Sequence, residues 1–341
     1  MKKESPLLVF LKNRIFKTVF KIVFVVGLLG FLASKGFLSF AKVREALTKW
    51  EYILPAFGML LITTFFTILR WHVLLRAQGI LLPLSRVAQL GMIGNFFNIA
   101  LPGAVSGDVV KAIYVAREAP GLRARAFSSI LFDRVAGVSI LILVSAFALL
   151  FSLNQPWVDQ VIPAIQLIVG ASGASVIIGF TYLLTINEDR DPLYRFCERR
   201  AEKKSLIGSV GRIYIGIRDY HSHRSAVFTA LLFSSFIHVL CSTTCVQFAY
   251  ALGETQLNLM AQFIMIPLGL FFTAIPISPA GVGTGHAAFS TLYLLLGSQR
   301  GADVFTLFVL YKLLEGGIGG LIYLKFKGSE PLNLELAENH N

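Results

Sequence analysis

Charge is what this sequence has least of. Only 15% of its 341 residues are Asp, Glu, Lys or Arg, against about 25% in a soluble domain. With 55% hydrophobic residues and a mean hydropathy of +0.69, an ordinary soluble fold is excluded and an integral membrane protein is indicated. Cysteine is also scarce. The three present give no disulfide framework, since Cys241 and Cys245 lie one helical turn apart in an apolar run and Cys197 lies in a basic loop; they read as small apolar residues. No G-x-x-x-x-G-K-[ST] phosphate loop occurs, which excludes ATP hydrolysis by that route, and there is no G-x-S-x-G, H-E-x-x-H or Cys/His metal cluster. The largest polar loop, 187–224, is too short for a catalytic domain. No cofactor is expected and the chain does not read as an enzyme; any covalent chemistry would have to occur within the membrane. The first 21 residues, MKKESPLLVFLKNRIFKTVFK, lack a small-residue cleavage site and read as a retained basic flank.

What remains is apolar and helical. About 20 apolar residues cross the hydrocarbon, and six clean candidate spans lie at roughly 19–40, 52–69, 127–151, 161–186, 227–252 and 304–326. Two further apolar stretches, 87–115 and 261–297, are each broken by Pro and Gly. The net charge of +12 does not call for nucleic acid, because Lys and Arg of membrane proteins collect in cytoplasmic loops. The 187–224 loop holds nine of them, whereas 154–160 and 253–262 hold none. This places both termini and the 187–224 loop in the cytoplasm of a bacterial-type inner membrane. The group Lys42, Arg44 and Lys49 falls on the opposite side and is an exception. The expected fold is therefore an all-α polytopic membrane protein, a single membrane domain over 1–341. It has about six full spans plus two Pro/Gly-broken helical hairpins, re-entrant or fully crossing.

The two breaks resemble one another. At a constant offset of 174, Phe97 pairs with Phe271, Leu101 with Ile275, Pro102 with Pro276 and Gly107 with Gly281. Three crossings separate the copies, so they enter from opposite faces. This is the pattern of an inverted-topology repeat, with halves at about 16–153 and 161–326, whose broken helices meet near the midplane. The alternative is that Pro and Gly merely help helices pack. Irregular backbone survives in hydrocarbon only where it is buried in protein or lines a wet cavity. Helices resuming after Gly107 and Gly285 also offer N–H groups and a positive dipole end to an anion.

Several charges lie where charge is costly. Asp108 and Lys111, one turn apart, either pair and cap a helix start or wall a headgroup pocket. Asp133 and Arg134 open the next span; they either snorkel to the interface or bind phosphate, for which the planar Arg134 fork is suited. Lys312 and Glu315 lie deep in the last span at a spacing that lets them pair. The Gly-Gly-Ile-Gly-Gly run after Glu315 reads as a close helix-packing face. His238 reads as a buried, hydrogen-bonded histidine, and His286 follows the glycines of the second break. Arg70 and Trp71 read as interfacial anchors ending the second span.

FNIALPGAVSGDVVKA, SILFDRVAGV and PISPAGVGTGH, in that order, resemble the membrane (flippase-like) region of the lysylphosphatidylglycerol synthase family over roughly residues 20–324. The resemblance implies movement of a lipid between leaflets, with anionic, aminoacylated or polyprenyl-phosphate-linked lipids as cargo. It implies that Asn98, Pro102, Ser106, Gly107 and Asp108 belong to the first broken helix, Asp133 and Arg134 to its neighbour, and Pro276, Ser278, Pro279, Gly281, Gly283 and Gly285 to the second. Two positions depart from the family pattern: His286 stands where an acidic residue is usual, and Lys312 where an Arg is usual. The departures bear on headgroup preference. With no aminoacyltransferase domain before its end at Asn341, the chain resembles the stand-alone form. The expected partners are membrane lipids and a lipid-synthesis enzyme, with no nucleic acid. Three alternatives stay open: an intramembrane lipid-linked glycosyl or acyl transferase, a non-catalytic accessory of a lipid-synthesis enzyme, and a small-anion transporter.

Overall fold

The computed structural model describes residues 34, 40–101, 106–155, 163–201, 206–274 and 281–329. Nearly all of them are helical. In chain order the α-helices are α1 (Phe40–Thr48), α2 (Trp50–Ala77), α3 (Leu84–Ala100), α4 (Ser106–Glu118), α5 (Arg123–Ser152), α6 (Pro163–Thr185), α7 (Pro192–Ala201), α8 (Leu206–Arg218), α9 (Arg224–Ala251), α10 (Leu259–Ala274), α11 (Thr284–Leu295) and α12 (Gly301–Ser329). Five of them, α2, α5, α6, α9 and α12, are long and apolar enough to cross a membrane. In a bilayer only closed helical or barrel hydrogen bonding satisfies the backbone, and apolar runs of this length select the helix. The protein is a multi-pass membrane protein. The expected span at 19–40, apart from Ser34 and Phe40, and the positions Pro102, Pro276, Ser278 and Pro279 lie outside the described residues.

Both broken stretches fold as antiparallel helix pairs. In the first, Gly94 of α3 meets Gly107 of α4 so closely that a Cβ on Gly107 would collide with the Gly94 carbonyl oxygen. Only glycine admits that approach. At the far end Arg86 Nε donates to Glu118 Oε1 at 2.8 Å, bringing the start of α3 beside the end of α4. In the second pair a Cβ on Gly269 of α10 would lie 2.6 Å from the Phe289 ring of α11.

The long helices hold these pairs in place. The most extensive contact joins α2 to α9, and α3 packs along α12 while α10 packs along α5. Ala56, Leu60, Cys245, Phe248 and Ala249 seal the α2–α9 seam with no exposed surface. The Gly-Gly-Ile-Gly-Gly run is a packing face as expected: Gly316 abuts Ile99, and Gly319 the backbone of Met92. By contrast α6 buries only Val169 and Gly173, and its Leu167, Ile168, Ile177 and Ile178 point outward, as suits a lipid-facing helix. Lys42 of the exceptional basic group donates to Asp303 at 2.9 Å, so part of its charge is matched at the start of α12.

The 187–224 segment folds over one end of the bundle. Asp191 and Arg218, both essentially buried, approach to 3.1 Å, and Arg218 also donates to the Leu183 and Ile186 carbonyls at the end of α6. Burial opposes ionisation of Asp191. Hydrogen bonds from the Tyr214 hydroxyl and the Tyr194 and Leu193 amides outweigh it and hold the carboxyl below the usual carboxylate range. A lowered folded-state value means that this stabilisation is present above the unfolded value of about 3.9 and is lost as pH falls below it. Asp191→Asn is expected to cost about 2 kcal/mol at neutral pH and to flatten that acid-side loss in thermal melts. An unchanged profile would show that the clasp contributes nothing.

Candidate functional site: a charged cavity between the hairpin ends

A cavity of about 350 Å³ lies in the middle of the bundle, lined from α2, α3, α4, α5, α9, α10 and α12. Its lining is polar for its depth. Arg134 lies about 16 Å along α5 from Arg123, and Glu315 about 21 Å along α12 from Gly301, at 1.5 Å per residue. Both helix pairs contribute next to their turns: Asn95, Asn98, Asp108 and Lys111 from the first, Leu270 and Thr273 from the second.

The charges are organised as three clusters. Asp108 is bridged by Lys111 Nζ at 2.7 Å and by the Arg134 guanidinium. Asp133, the residue before Arg134 on α5, is held bidentately by Arg70 at 2.7 and 3.0 Å, and Arg70 also donates to Ser234 Oγ at 2.9 Å. Glu315 accepts from Lys312 at 2.8 Å, Thr64 at 2.7 Å and Asn95 at 2.9 Å. All three carboxylates are buried, and so is Arg70. The side chains of Arg134 and Lys312 are 31% and 36% exposed, so these cations present surface to the cavity. Charge-assisted pairs of this geometry offset the cost of charge in low dielectric, which explains how these seven Asp, Glu, Lys and Arg side chains persist there.

Of the residues singled out in the sequence, the structure thus brings Asn98, Asp108, Lys111, Asp133, Arg134, Lys312 and Glu315 into one lining. Asp108 pairs with Lys111 and Lys312 with Glu315, as their spacing implies. Ser106 and Gly107 stand behind the lining. Ser106 Oγ donates to the Phe97 carbonyl, and the Gly107 amide donates to Asn98 Oδ1 at 2.9 Å, so that amide of the α4 N-terminus is already capped by the protein. Gly281, Gly283, Gly285 and His286 do not line this cavity. His286 is buried, its Nδ1 accepts from the Gly283 amide at 3.3 Å, and its ring meets Phe305 edge-on at 4.8 Å. It closes the start of α11 against α12.

Arg70 departs from its sequence reading. It is no interfacial anchor: α2 runs on to Ala77, and the Asp133 pair carries Arg70 inside. The lining also contains Thr63, Thr64, Thr67 and Asn95. Their signal was available, since 63, 67 and 70 fall on one helical face, as do 95 and 98. His238 also lines the cavity, beside Gly137 and Arg70. Neither of its ring nitrogens makes a hydrogen bond of normal geometry among the described residues. On the far side of α5 and α10 lies an apolar groove of about 680 Å³, bounded by Ile142, Val169, Leu268, Phe272, Ala288 and Leu292 among others.

The fold is thus a multi-pass helical bundle that holds a charged cavity lined from both broken helix pairs. The chain belongs to the family described as the lysylphosphatidylglycerol synthase TM region, which matches residues 18–316. No curated protein and no solved structure is significantly similar to the chain. Family membership connects the protein with membrane lipids.

Proposed function

We propose that the protein is a transporter that moves an anionic or phosphate-bearing lipid between leaflets, its headgroup passing through the mid-span cavity while its hydrocarbon chains stay in the bilayer. The observation that carries this reading is the cavity itself: charged, deep, and walled by residues next to both helix-pair turns. In a bundle of apolar spans, such a concentration of charge marks the path of a polar cargo. Arg134 and Lys312 contact the headgroup phosphate, and Asp108 and Glu315 act as their counter-ions rather than as catalytic bases.

The same reading takes the two halves as an inverted repeat with re-entrant hairpins. The contact pattern supports it: α3 of the first half packs on α12 of the second, α10 of the second half packs on α5 of the first, and α2 and α9 form the central pair. Rocking one half against the other would expose the cavity alternately to each face. The positive-inside distribution favours a bacterial-type inner membrane with both termini cytoplasmic. A lipid-synthesis enzyme supplying the cargo is the partner that fits.

Leaflet exchange of fluorescent phospholipids in proteoliposomes tests the proposal. The reconstituted protein is expected to accelerate exchange of an anionic lipid, and Arg134→Gln to slow it about tenfold, equivalent to losing about 1.4 kcal/mol at the phosphate contact. Exchange no faster than in empty vesicles, with or without a proton gradient, would overturn it.

A further inference from the structure

Of the long helices, α6 buries least. Its contacts with the bundle run chiefly through α5, and they close tightly where a Cβ on Gly173 would lie 2.9 Å from that of Ala146. Beside that point Ala171, Ser175 and Gly179 form a stripe of small residues at i, i+4 spacing. Such stripes in membrane helices commonly admit a second helix at close range. This one stays open. A Cβ on Gly179 would meet nothing within 4 Å, and the stripe borders a groove of about 640 Å³ between α5, α6 and α8.

The groove has the dimensions of one lipid chain in one leaflet. Phe132, Val135 and Ile142 of α5 line it opposite Val176 and Phe180 of α6. From Leu183 to Ala171 it runs about 18 Å along α6 at 1.5 Å per residue, close to half of a hydrocarbon core about 30 Å thick. Ile142 and Ser172 at its deep end also border the apolar groove of about 680 Å³, which continues into the other leaflet. Within it, Ser175 turns its hydroxyl back to the Ala171 carbonyl at 2.8 Å. At the opposite end, under the 187–224 segment, stand Tyr182, Tyr214 and Arg218; tyrosine is enriched at headgroup level. Arg218 is 1% exposed, and its Nε, 3.1 Å from Asp191, makes no hydrogen bond of normal geometry among the described residues. That leaves a guanidinium donor suited to an ester carbonyl.

We propose that this groove binds one acyl chain of a diacyl phospholipid from the leaflet on the 187–224 side, as a resident lipid distinct from transported cargo. Different faces of α5 serve the two sites: Gly137, Val138 and Leu141 line the charged cavity, whereas Phe132, Val135 and Ile142 line the groove. Because α6 carries Ile177 and Ile178 outward, the medium beside the groove is hydrocarbon, and a chain entering it gains dispersion contact along both walls. The ester end lies at Arg218 and the tyrosines. Bound there, the lipid bridges α5, α6 and α8 and seats α6 on the bundle.

Native mass spectrometry of the full chain, purified in mild detergent and washed extensively, tests the site. The wild-type protein is expected to retain one diacyl phospholipid per chain. Gly179→Leu and Ala171→Leu place a branched side chain at either end of the groove and are expected to lower retention about tenfold. Gly179→Leu is expected to melt no lower than wild type, since its Cβ has open space and leucine favours the helix. Arg134→Gln, which alters the charged cavity, is expected to keep the lipid. A wild-type protein that retains no lipid, or retention unchanged in both leucine variants, would overturn the proposal. Retention lost in Arg134→Gln and kept in the leucine variants would overturn it too, by placing the lipid in the charged cavity. A second measurement requires no variant to fold. Delipidated wild type titrated with dioleoylphosphatidylglycerol in mixed micelles is expected to show a saturable rise in melting temperature, and the absence of any rise would overturn the resident role.

Discussion

Arg70→Met is expected to destabilise the protein by about 3–5 kcal/mol, and Arg70→Met combined with Asp133→Leu to recover most of that loss. The pair lies inside the bundle, with both residues 6% exposed, and its fork geometry leaves Asp133 fully engaged at 2.7 and 3.0 Å. Removing only the guanidinium strands a buried carboxylate, while Arg134 and Lys111 are bonded to Asp108. Replacing both partners by apolar side chains of similar volume removes the stranded charge together with the attraction. Thermal or denaturant unfolding of the detergent-solubilised protein, analysed as a double-mutant cycle, measures the coupling. A single variant within about 1 kcal/mol of wild type, the median worth of a surface salt bridge, would show the pair to be water-exposed and the cavity to be much wetter than its burial implies.

That pair also shows where reading from sequence stops. The helices themselves were legible, because a long apolar run in a bilayer has one way to satisfy its backbone, and both interruptions were legible from proline and glycine alone. Local charge pairs were legible too: Lys312 with Glu315 and Asp108 with Lys111 lie within one turn and need no tertiary information. Arg70 was not, because a charge at the end of an apolar window has the same appearance whether it meets headgroups or a partner, and its partner is 63 residues away. Glu315 draws two of its donors, Thr64 and Asn95, from 251 and 220 residues away. His286 is the converse case. Its place beside three glycines drew attention to it, yet those glycines let it fold back on the Gly283 amide rather than face the cavity.

Gly319→Leu is expected to be at least as damaging, at about 3 kcal/mol or more, and to abolish lipid exchange, for a different physical reason. A Cβ at Gly319 would collide with the Met92 carbonyl oxygen and lie 3.2 Å from Phe96 Cβ. The obstacle is the backbone of α3, which cannot rotate aside as a flexible side chain would. Small residues at such seams are how membrane helices gain contact without a hydrophobic driving force, so separating α3 from α12 forfeits packing along the whole seam. It also acts on the cavity, since Asn95 of α3 donates to Glu315 only about one turn before Gly319; forcing the helices apart withdraws that donor and loosens the Lys312 cluster. Gly317 provides the control. A Cβ there would meet nothing within 4 Å, and Gly317→Ala should be neutral or stabilise by up to about 1 kcal/mol through helix propensity. Unfolding measurements and exchange assays on the two variants separate the effects. Equal behaviour of Gly317→Ala and Gly319→Leu would mean that α3 and α12 are not in register at Met92, and that the cavity wall they form is placed differently.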